Sequence, residues 1–397
     1  MENNKCVLIG VTGGIAAYKT CTLVSSLKKQ GYDVNVLMTK EAEAFVSPLT
    51  FQTLSANKVI TDMFTTDYTP DVHHVSLAKK ADLIVIAPAT ANTIAKVANG
   101  IADDMLTTTF LAAECPKLIV PAMNTHMLMN PVTQDNLEKC RHYGMHVLES
   151  DAGYLACGDT GSGRLPEPDE IEDAIKEILV KDKFLKDKKI VITAGPTEEA
   201  LDPVRYLTNH SSGKMGYALA LAARNYGADV TLVTGKTNLK DIRGIHTVHV
   251  VSAQDMAEAV LPLQKESDVM ILAAAVADYT PVDVSDNKIH KQEGNTSLSL
   301  KRTTDILSTL GKNKQDGQVL IGFSMETDHM IERTRTKLEE KNCDYIAANN
   351  LKEEGAGFAT DTNRITILSK DTEKQFGLLS KYDAACEILT YCLKENA

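Results

Sequence analysis

The sequence predicts an α/β protein of two tandem, doubly wound domains, each built on a mainly parallel sheet. Three observations predict it. Continuous apolar runs alternate with helix-length segments, the pattern of strands covered on both faces. A glycine-bearing turn follows the first apolar run of each half, and the two halves repeat their elements in the same order. At 397 residues the chain is also too long for one ordinary core.

The elements follow in sequence. In the first half, Cys6–Gly10 forms the opening strand. Gly13-Gly14, a helix, Gly31 and a second strand, Asp33–Met38 ending at Thr39, come next. In the second half Ile190–Thr193 leads to Gly195, a helix from Gly216, Gly227, and a strand Asp229–Val233 ending at Thr234. The third strands match, Ala81–Ala87 against Ser267–Ala273, and each is followed by a small-residue loop, Pro88–Asn92 or Ala274–Asp278. Lys117–Val120 is a fourth strand of the first half. Leu165-Pro166-Glu167-Pro168, a helix over Asp169–Val180 and the charged run Lys181–Lys189 mark the border. The domains are therefore 1–185 and 186–397, both Rossmann-like. In such sheets ligands bind beyond the carboxyl ends of the strands, where these loops lie.

Composition narrows the partners. The hydrophobic fraction of 43% and charged fraction of 24% are those of a soluble globular protein. A net charge of −11 argues against general binding to nucleic acid or an anionic membrane, so anionic substrates need local basic clusters. No apolar run follows Met1 and no segment approaches the ~20 residues of a membrane span, so neither signal peptide nor membrane helix is expected. The eight cysteines form no CxxC pair, which points to reduced thiols in a cytoplasm. Cys140, His142 and His146 do not share a helix face, because Gly144 separates the histidines where a helix turns into the strand Met145–Leu148. A metal site there is not expected.

The stretch Ala194–Gly216, AGPTEEALDPVRYLTNHSSGKMG, concentrates the most chemistry. A strand enters the Gly195-Pro196 turn, Asp202, Arg205 and Asn209 follow, and a Ser-Ser-Gly-Lys-x-Gly loop opens a helix. Small residues there let backbone N–H groups approach an anion, with Arg205, His210 and Lys214 as compensating cations. It is not a Walker A box, since Thr208 and Met215 occupy the positions of its first Gly and its Ser/Thr. In the first half the turn carrying Gly13, Gly14, Ile15 and Ala16 makes a phosphate-sized nest. The second strand ends in Met38-Thr39, without the acid that grips an adenosine ribose, which leaves a mononucleotide such as FMN. Pro88, Ala89, Thr90, Ala91 and Asn92 form a second small loop for the isoalloxazine ring.

His74 in His-Val-Ser-Leu, Pro121-Ala-Met-Asn124, and Ala156-Cys157-Gly158-Asp159 followed by Gly161-Ser-Gly-Arg164 resemble the flavin-dependent cysteine decarboxylase family, of flavodoxin-like fold. The second half resembles phosphopantothenate–cysteine ligases. Together, over nearly the whole chain, they resemble the family of fused bacterial phosphopantothenoylcysteine decarboxylase/phosphopantothenate–cysteine ligases of coenzyme A biosynthesis. The resemblance implies that FMN oxidises the substrate thiol toward a thioaldehyde, so that carbon dioxide can leave and give an enethiol. His74 would serve acid–base chemistry near neutral pH. Asn124 would hydrogen-bond the substrate carboxylate, and Cys157 would supply the proton of the reductive step.

For the second half, the resemblance implies attack of 4′-phosphopantothenate on CTP to give an acyl-cytidylate and pyrophosphate, after which the amine of L-cysteine displaces CMP. Ala273, Ala274, Ala275 and Asp278 match the nucleotide loop, with Asp278 beside ribose or a Mg²⁺ ion. Asn209 would hold the intermediate, and Arg205 and Lys214 the pantothenate phosphate. Lys288, on the polar excursion Val282–Ser299 that reads as a mobile flap or protruding hairpin, would contact the nucleotide and assist the second step. Thr304, Asp305, Ile306 and Leu307 open a helix toward the phosphates, Phe323 packs on the base, and Lys337 and Lys341 face the triphosphate from one helix side. The flap departs from the family pattern at His290, where a lysine is expected. The residues alone do not choose CTP over ATP.

Two other readings stand beside this one: a nicotinamide-dependent flavin reductase, and a non-catalytic flavin-binding regulatory protein. The missing dinucleotide fingerprint weighs against the first, and the presence of His74, Asn124 and Cys157 against the second. The resemblance further implies a homo-oligomer, with trimeric contacts between decarboxylase halves and dimeric contacts between ligase halves.

Overall fold

The computed structural model describes residues 5–64, 73–154, 156, 158–290, 297–326, 330–350 and 362–395. Two compact units divide the chain, Met1–Lys181 and Asp182–Ala397.

The first unit runs β1 (Cys6–Val11), α1 (Ala17–Lys29), β2 (Asp33–Met38), α2 (Pro48–Ser55), α3 (His73–Lys80), β3 (Leu83–Ala89), α4 (Ala91–Ala98) and α5 (Met105–Ala112). It continues with β4 (Lys117–Pro121), α6 (Thr125–Leu128), α7 (Pro131–His142), β5 (His146–Val147), β6 (Asp151–Tyr154), β7 (Thr160–Arg164) and α8 (Pro168–Leu179). Five parallel strands stand in the order β2-β1-β3-β4-β5, the flavodoxin-like arrangement. Val7, Ile9, Val34, Val36 and Val85 face one layer with Leu23 and Leu27 of α1 and Ile171 and Ile175 of α8. Leu8, Ile84, Ile86 and Ile119 face the other, with Ile94, Leu106, Phe110 and Leu137. Burial on both faces explains why these strands are continuously apolar.

The second unit begins with β8 (Lys189–Ala194), β9 (Glu198–Ala200), β10 (Tyr206–Thr208), α9 (Lys214–Asn225), β11 (Asp229–Thr234), β12 (His246–His249), α10 (Ala253–Val260) and β13 (Val269–Leu272). Then come β14 (Tyr279–Pro281), β15 (Leu300–Arg302), α11 (Ile306–Lys312), β16 (Val319–Glu326), α12 (Met330–Glu340), β17 (Tyr345–Asn350), β18 (Thr362–Leu368), β19 (Glu373–Ser380) and α13 (Lys381–Thr390). Its sheet has the order β12-β11-β8-β13-β16-β17-β18-β19. The first six strands are parallel and the last two join antiparallel. Helices α9 and α13 cover one face, and α10, α11 and α12 the other.

The strand order reverses between β1 and β3 in the first unit and between β8 and β13 in the second. A crevice opens at such a point because the flanking connections leave toward opposite faces. Local differences from the sequence reading are small. Helix α9 starts at Lys214 rather than Gly216, because Gly213, with φ +75°, makes the reversal that begins it. The Gly-rich segments on either side of Cys157 form the paired antiparallel strands β6 and β7.

Candidate functional site

In the first unit the Val11–Ala17 and Pro88–Asn92 segments meet at the switch point. Buried Thr12 ties them: its hydroxyl donates to the Pro88 carbonyl at 2.6 Å and accepts from the Thr90 N–H at 3.1 Å. Sequence reasoning missed Thr12, whose role depends on a partner 76 residues away. Gly13, Gly14, Ile15 and Ala16 form the turn into α1. A β-carbon on Gly14 would meet nothing within 4 Å, so the turn borders open space. Thr39 lies at the end of β2, and its buried hydroxyl oxygen has no hydrogen-bond partner among the described residues. Ile15 and Tyr18 expose 58% and 59% of their surfaces beside the turn, apolar area that a bound ring would cover. Thr90 caps α4, which Ala91 and Asn92 begin, while Pro88 and Ala89 close β3. A flavin suits this cradle by its small residues, its orphaned hydroxyl and its exposed apolar rim.

Asn124 sits at the carboxyl end of β4 and caps α6, accepting from the His126 N–H at 2.9 Å. Its amide reaches Asp159. Met123 N–H donates to the Gly163 carbonyl at 2.9 Å, and Thr125 Oγ1 to the Ser162 carbonyl at 2.7 Å. The β6–β7 hairpin is thus fastened along the Asn124 segment. Cys157 falls between β6 and β7 in the sequence and lies outside the described residues. His74 comes from a separate element, as the half-buried second residue of α3, which packs against α5.

In the second unit the Gly195–Thr197 turn and the Ala273–Asp278 loop are laced together. Ala275 N–H donates to the Gly195 carbonyl at 2.9 Å, Ala274 N–H to Thr193 Oγ1 at 3.1 Å, and Ala277 N–H to Thr197 Oγ1 at 3.0 Å. Asn209 joins them through its amide, which donates to the Ala275 carbonyl at 3.1 Å. Gly216 allows α9 to lie directly on β8, since a β-carbon there would stand 2.5 Å from Ala194 Cβ. Lys214 opens that helix.

Beside this loop lies a cavity of about 580 Å³. Ala274, Asp278, Thr304, Asp305, Ile306, Leu307, Phe323, Lys337 and Lys341, all named in the sequence analysis, line it. Ala273 and Ala275 stay off its wall. Three differences follow from tertiary contacts. Asp305 caps α11 through the Ser308 N–H and is ion-paired with Lys341, so it meets the helix N-terminus with its own carboxylate. That carboxyl is held below its ordinary range: burial works to raise it, but the Lys341 and Ser308 bonds and the positive charges of Lys341 and Lys337 outweigh burial. Arg302, on the hairpin strand paired with Tyr279, adds a cation that sequence reasoning missed, with no partner among the described residues. Lys288 does not line the cavity. The backbone beside it is bonded to the Leu201–Arg205 turn instead, through Ser285 N–H to Leu201 O at 3.0 Å and Ile289 N–H to Asp202 at 3.1 Å. The expected flap connects the paired strands β14 and β15, and its residues 291–296 lie outside the described ones.

Arg205 likewise has partners within the protein: its Nε donates to Asp202 at 3.0 Å and its Nη2 to the Ile289 carbonyl at 2.7 Å. Among the described residues no cluster of three or more His, Cys, Asp or Glu gathers to hold a metal. A divalent cation at Asp278 would find no His, Cys, Asp or Glu cluster around it among the described residues.

A flavodoxin-like unit, followed in the chain by a Rossmann-like unit with a cation-lined cavity, defines an α/β flavoprotein. The comparisons agree. Residues 1–180 match the flavoprotein family, and residues 185–395 match the DNA/pantothenate metabolism flavoprotein C-terminal domain. The chain is 50% identical over 393 residues to the coenzyme A biosynthesis bifunctional protein CoaBC of Bacillus subtilis, covering 98% of this chain and 97% of that one. It is 41% identical to its namesake from Borreliella burgdorferi, over 98% and 99% of the two chains. It is also 45% identical to a cysteine/cysteine sulfinic acid decarboxylase from an unknown prokaryotic organism, over 87% and 98%. The chain belongs to the family of coenzyme A biosynthesis bifunctional proteins. It is an enzyme with ligase and decarboxylase activities, small-molecule substrates and a flavin cofactor. Among the described residues no helix is long and apolar enough to cross a membrane.

Proposed function

We propose that the second unit ligates 4′-phosphopantothenate to L-cysteine with CTP and Mg²⁺, and that the first decarboxylates the phosphopantothenoylcysteine to 4′-phosphopantetheine with FMN. The observation that carries this reading is that each unit has its own switch-point loops, so two chemistries have two separate sites. In the ligase step the substrate carboxylate attacks the α-phosphate of CTP and pyrophosphate leaves. The cysteine amine then attacks the acyl carbon and CMP leaves. Lys337, Lys341 and Arg302 face the polyphosphate, Phe323 offers its ring to the base, and Asp278 shares the metal with the phosphates. Asn209 and the 273–275 backbone hold the acyl-cytidylate, Lys214 and Arg205 attract the substrate phosphate, and Lys288 assists aminolysis from the hairpin.

In the decarboxylase unit the flavin, when bound, supplies the two-electron oxidation that activates the substrate thiol. Gly13 to Ala16 would hold its phosphate by backbone N–H groups, and Thr39 and the Pro88–Asn92 segment its remaining polar edges. Asn124 orients the substrate carboxylate, His74 moves the thiol-side proton, and Cys157 protonates carbon in the final reduction. The unit works in a homo-oligomer, trimeric through the decarboxylase halves and dimeric through the ligase halves, in a reducing cytoplasm.

The test uses the full chain with flavin. His74→Asn abolishes carbon dioxide release and leaves phosphopantothenoylcysteine synthesis intact. Lys288→Gln forms acyl-cytidylate, seen by quenched-flow mass spectrometry, but transfers it slowly to cysteine. Loss of both activities in folded His74→Asn contradicts the two-site reading.

A further inference from the structure

We propose that Asp202 is the positioning residue that couples Arg205 to Lys288, holding both on one clip at the ligase site. The inference rests on the reading of Arg205 and Lys288 as ligase residues. The Asp202 side chain is fully buried, yet it is a carboxylate surrounded by donors. Its two oxygens divide the work. Oδ1 accepts from the Val204 and Arg205 N–H groups, each at 2.8 Å, which is all that the local turn requires. Oδ2 accepts from the nearby Arg205 Nε at 3.0 Å and, across 87 residues, from the Ile289 N–H at 3.1 Å.

Arg205 closes the loop by donating to the carbonyl of the same Ile289 at 2.7 Å. Both polar groups of Ile289 are therefore held, one by the acid and one by the base. Upstream, Ser285 N–H is fixed to the Leu201 carbonyl and its hydroxyl to the Asn287 carbonyl at 2.7 Å. Lys288 lies between these anchors with its side chain exposed, so its ammonium sweeps from a fixed backbone point. The Arg205 guanidinium, nearly half exposed, is oriented by the same carboxylate. A residue needed only for its own turn would not also hold a peptide 87 residues away. Fixing a catalytic group in place is worth large rate factors, and small misplacements lose them.

The experiment uses full-length, flavin-loaded Asp202→Asn. Expected are a raised KM for 4′-phosphopantothenate through the loosened Arg205 with saturated acyl-cytidylate formation within about twofold of wild type, transfer to cysteine slowed about tenfold or more, and faster tryptic cleavage after Lys288, read by mass spectrometry. The double variant Asp202→Asn/Lys288→Gln transfers no more slowly than Lys288→Gln alone, because Asp202 acts through Lys288. Equal loss of both chemical steps with a lowered melting temperature, or unchanged transfer and cleavage, overturns the proposal. If Asp202→Asn does not fold, Ile289→Pro removes the N–H that Asp202 accepts while leaving Asp202 and Arg205 in place. A selective slowing of transfer supports the clip, and normal transfer overturns it. Should wild type form no acyl-cytidylate, the ligase reading fails, while cleavage after Lys288 still reports on the clip itself.

Discussion

Gly163 packs so closely on Met123 that a β-carbon added to it would stand 2.1 Å from the Met123 carbonyl oxygen. Its φ of +121° is also one that L side chains rarely adopt. This contact seats the β6–β7 hairpin on the Asn124 segment. Gly163→Ala should therefore cost about 1–3 kcal/mol of stability and depress decarboxylation more than flavin retention. Thermal melting, flavin absorbance and carbon dioxide release together check it. Wild-type turnover in this variant would show that hairpin seating does not matter to the chemistry.

Gly13 and Gly14 make a matched pair of tests for the cradle. A β-carbon on Gly13 would lie 2.4 Å from Glu41 Cβ, whereas one on Gly14 meets only open space. Gly13→Ala is expected to destabilise the fold by roughly 1–3 kcal/mol through overpacking. Gly14→Ala should melt as wild type does but hold flavin about tenfold more weakly, since about 1.4 kcal/mol of contact is displaced. Equilibrium dialysis against FMN reads the difference. Unchanged retention in Gly14→Ala would move the phosphate away from this turn.

Arg302 is expected to act on the nucleotide. Lys341 in the same cavity is already paired with Asp305, which leaves Arg302 and Lys337 as the cations best placed to meet polyphosphate. Arg302→Gln should raise the KM for CTP about tenfold, the scale of one lost charge-assisted contact. Arg302→Lys should recover part of it, because charge returns without the planar fork. Steady-state synthesis assays at varied CTP decide this, and an unchanged KM in Arg302→Gln removes the residue from the site.

Glu172 links α8 to α1, accepting from Ser26 Oγ at 2.6 Å and Lys176 Nζ at 2.6 Å. Burial pushes its carboxyl up, but the Lys176 charge and the bonds from Lys176, Ser26 and Gln30 bring it below the ordinary glutamate value. A depressed carboxyl adds stability above its unfolded-state value of about 4.3, and that stability fades as pH falls through the lower folded-state value. Glu172→Gln should cost about 1–2 kcal/mol at pH 7, with wild type and variant converging at low pH. Urea unfolding at several pH values measures it. A gap that widens on acidification would contradict the assignment.

Much of this protein was legible before folding. Apolar runs such as Leu83–Ala87 reveal parallel strands because burial on both faces leaves no room for alternation. Gly13-Gly14 and Gly195 mark the switch-point loops because close backbone approach restricts residue choice locally. Thr304–Leu307, Phe323, Lys337 and Lys341, singled out from the family resemblance, come together on one cavity wall. Tertiary structure decided what depends on partners far apart in the chain. Thr12 became a tie between loops only when Pro88 and Thr90 came beside it. Arg302 entered the cavity because β15 pairs with β14, a register that no local pattern encodes. Lys341 took Asp305 as its partner across 36 residues, and Asp202 gathered Arg205 and Ile289 into one clip. Sequence determines the elements and the chemistry available at their ends, because helix, strand and turn preferences are local. Which charged groups neutralise one another and which remain for a substrate is settled by packing, because a few ångströms of separation decide each pairing.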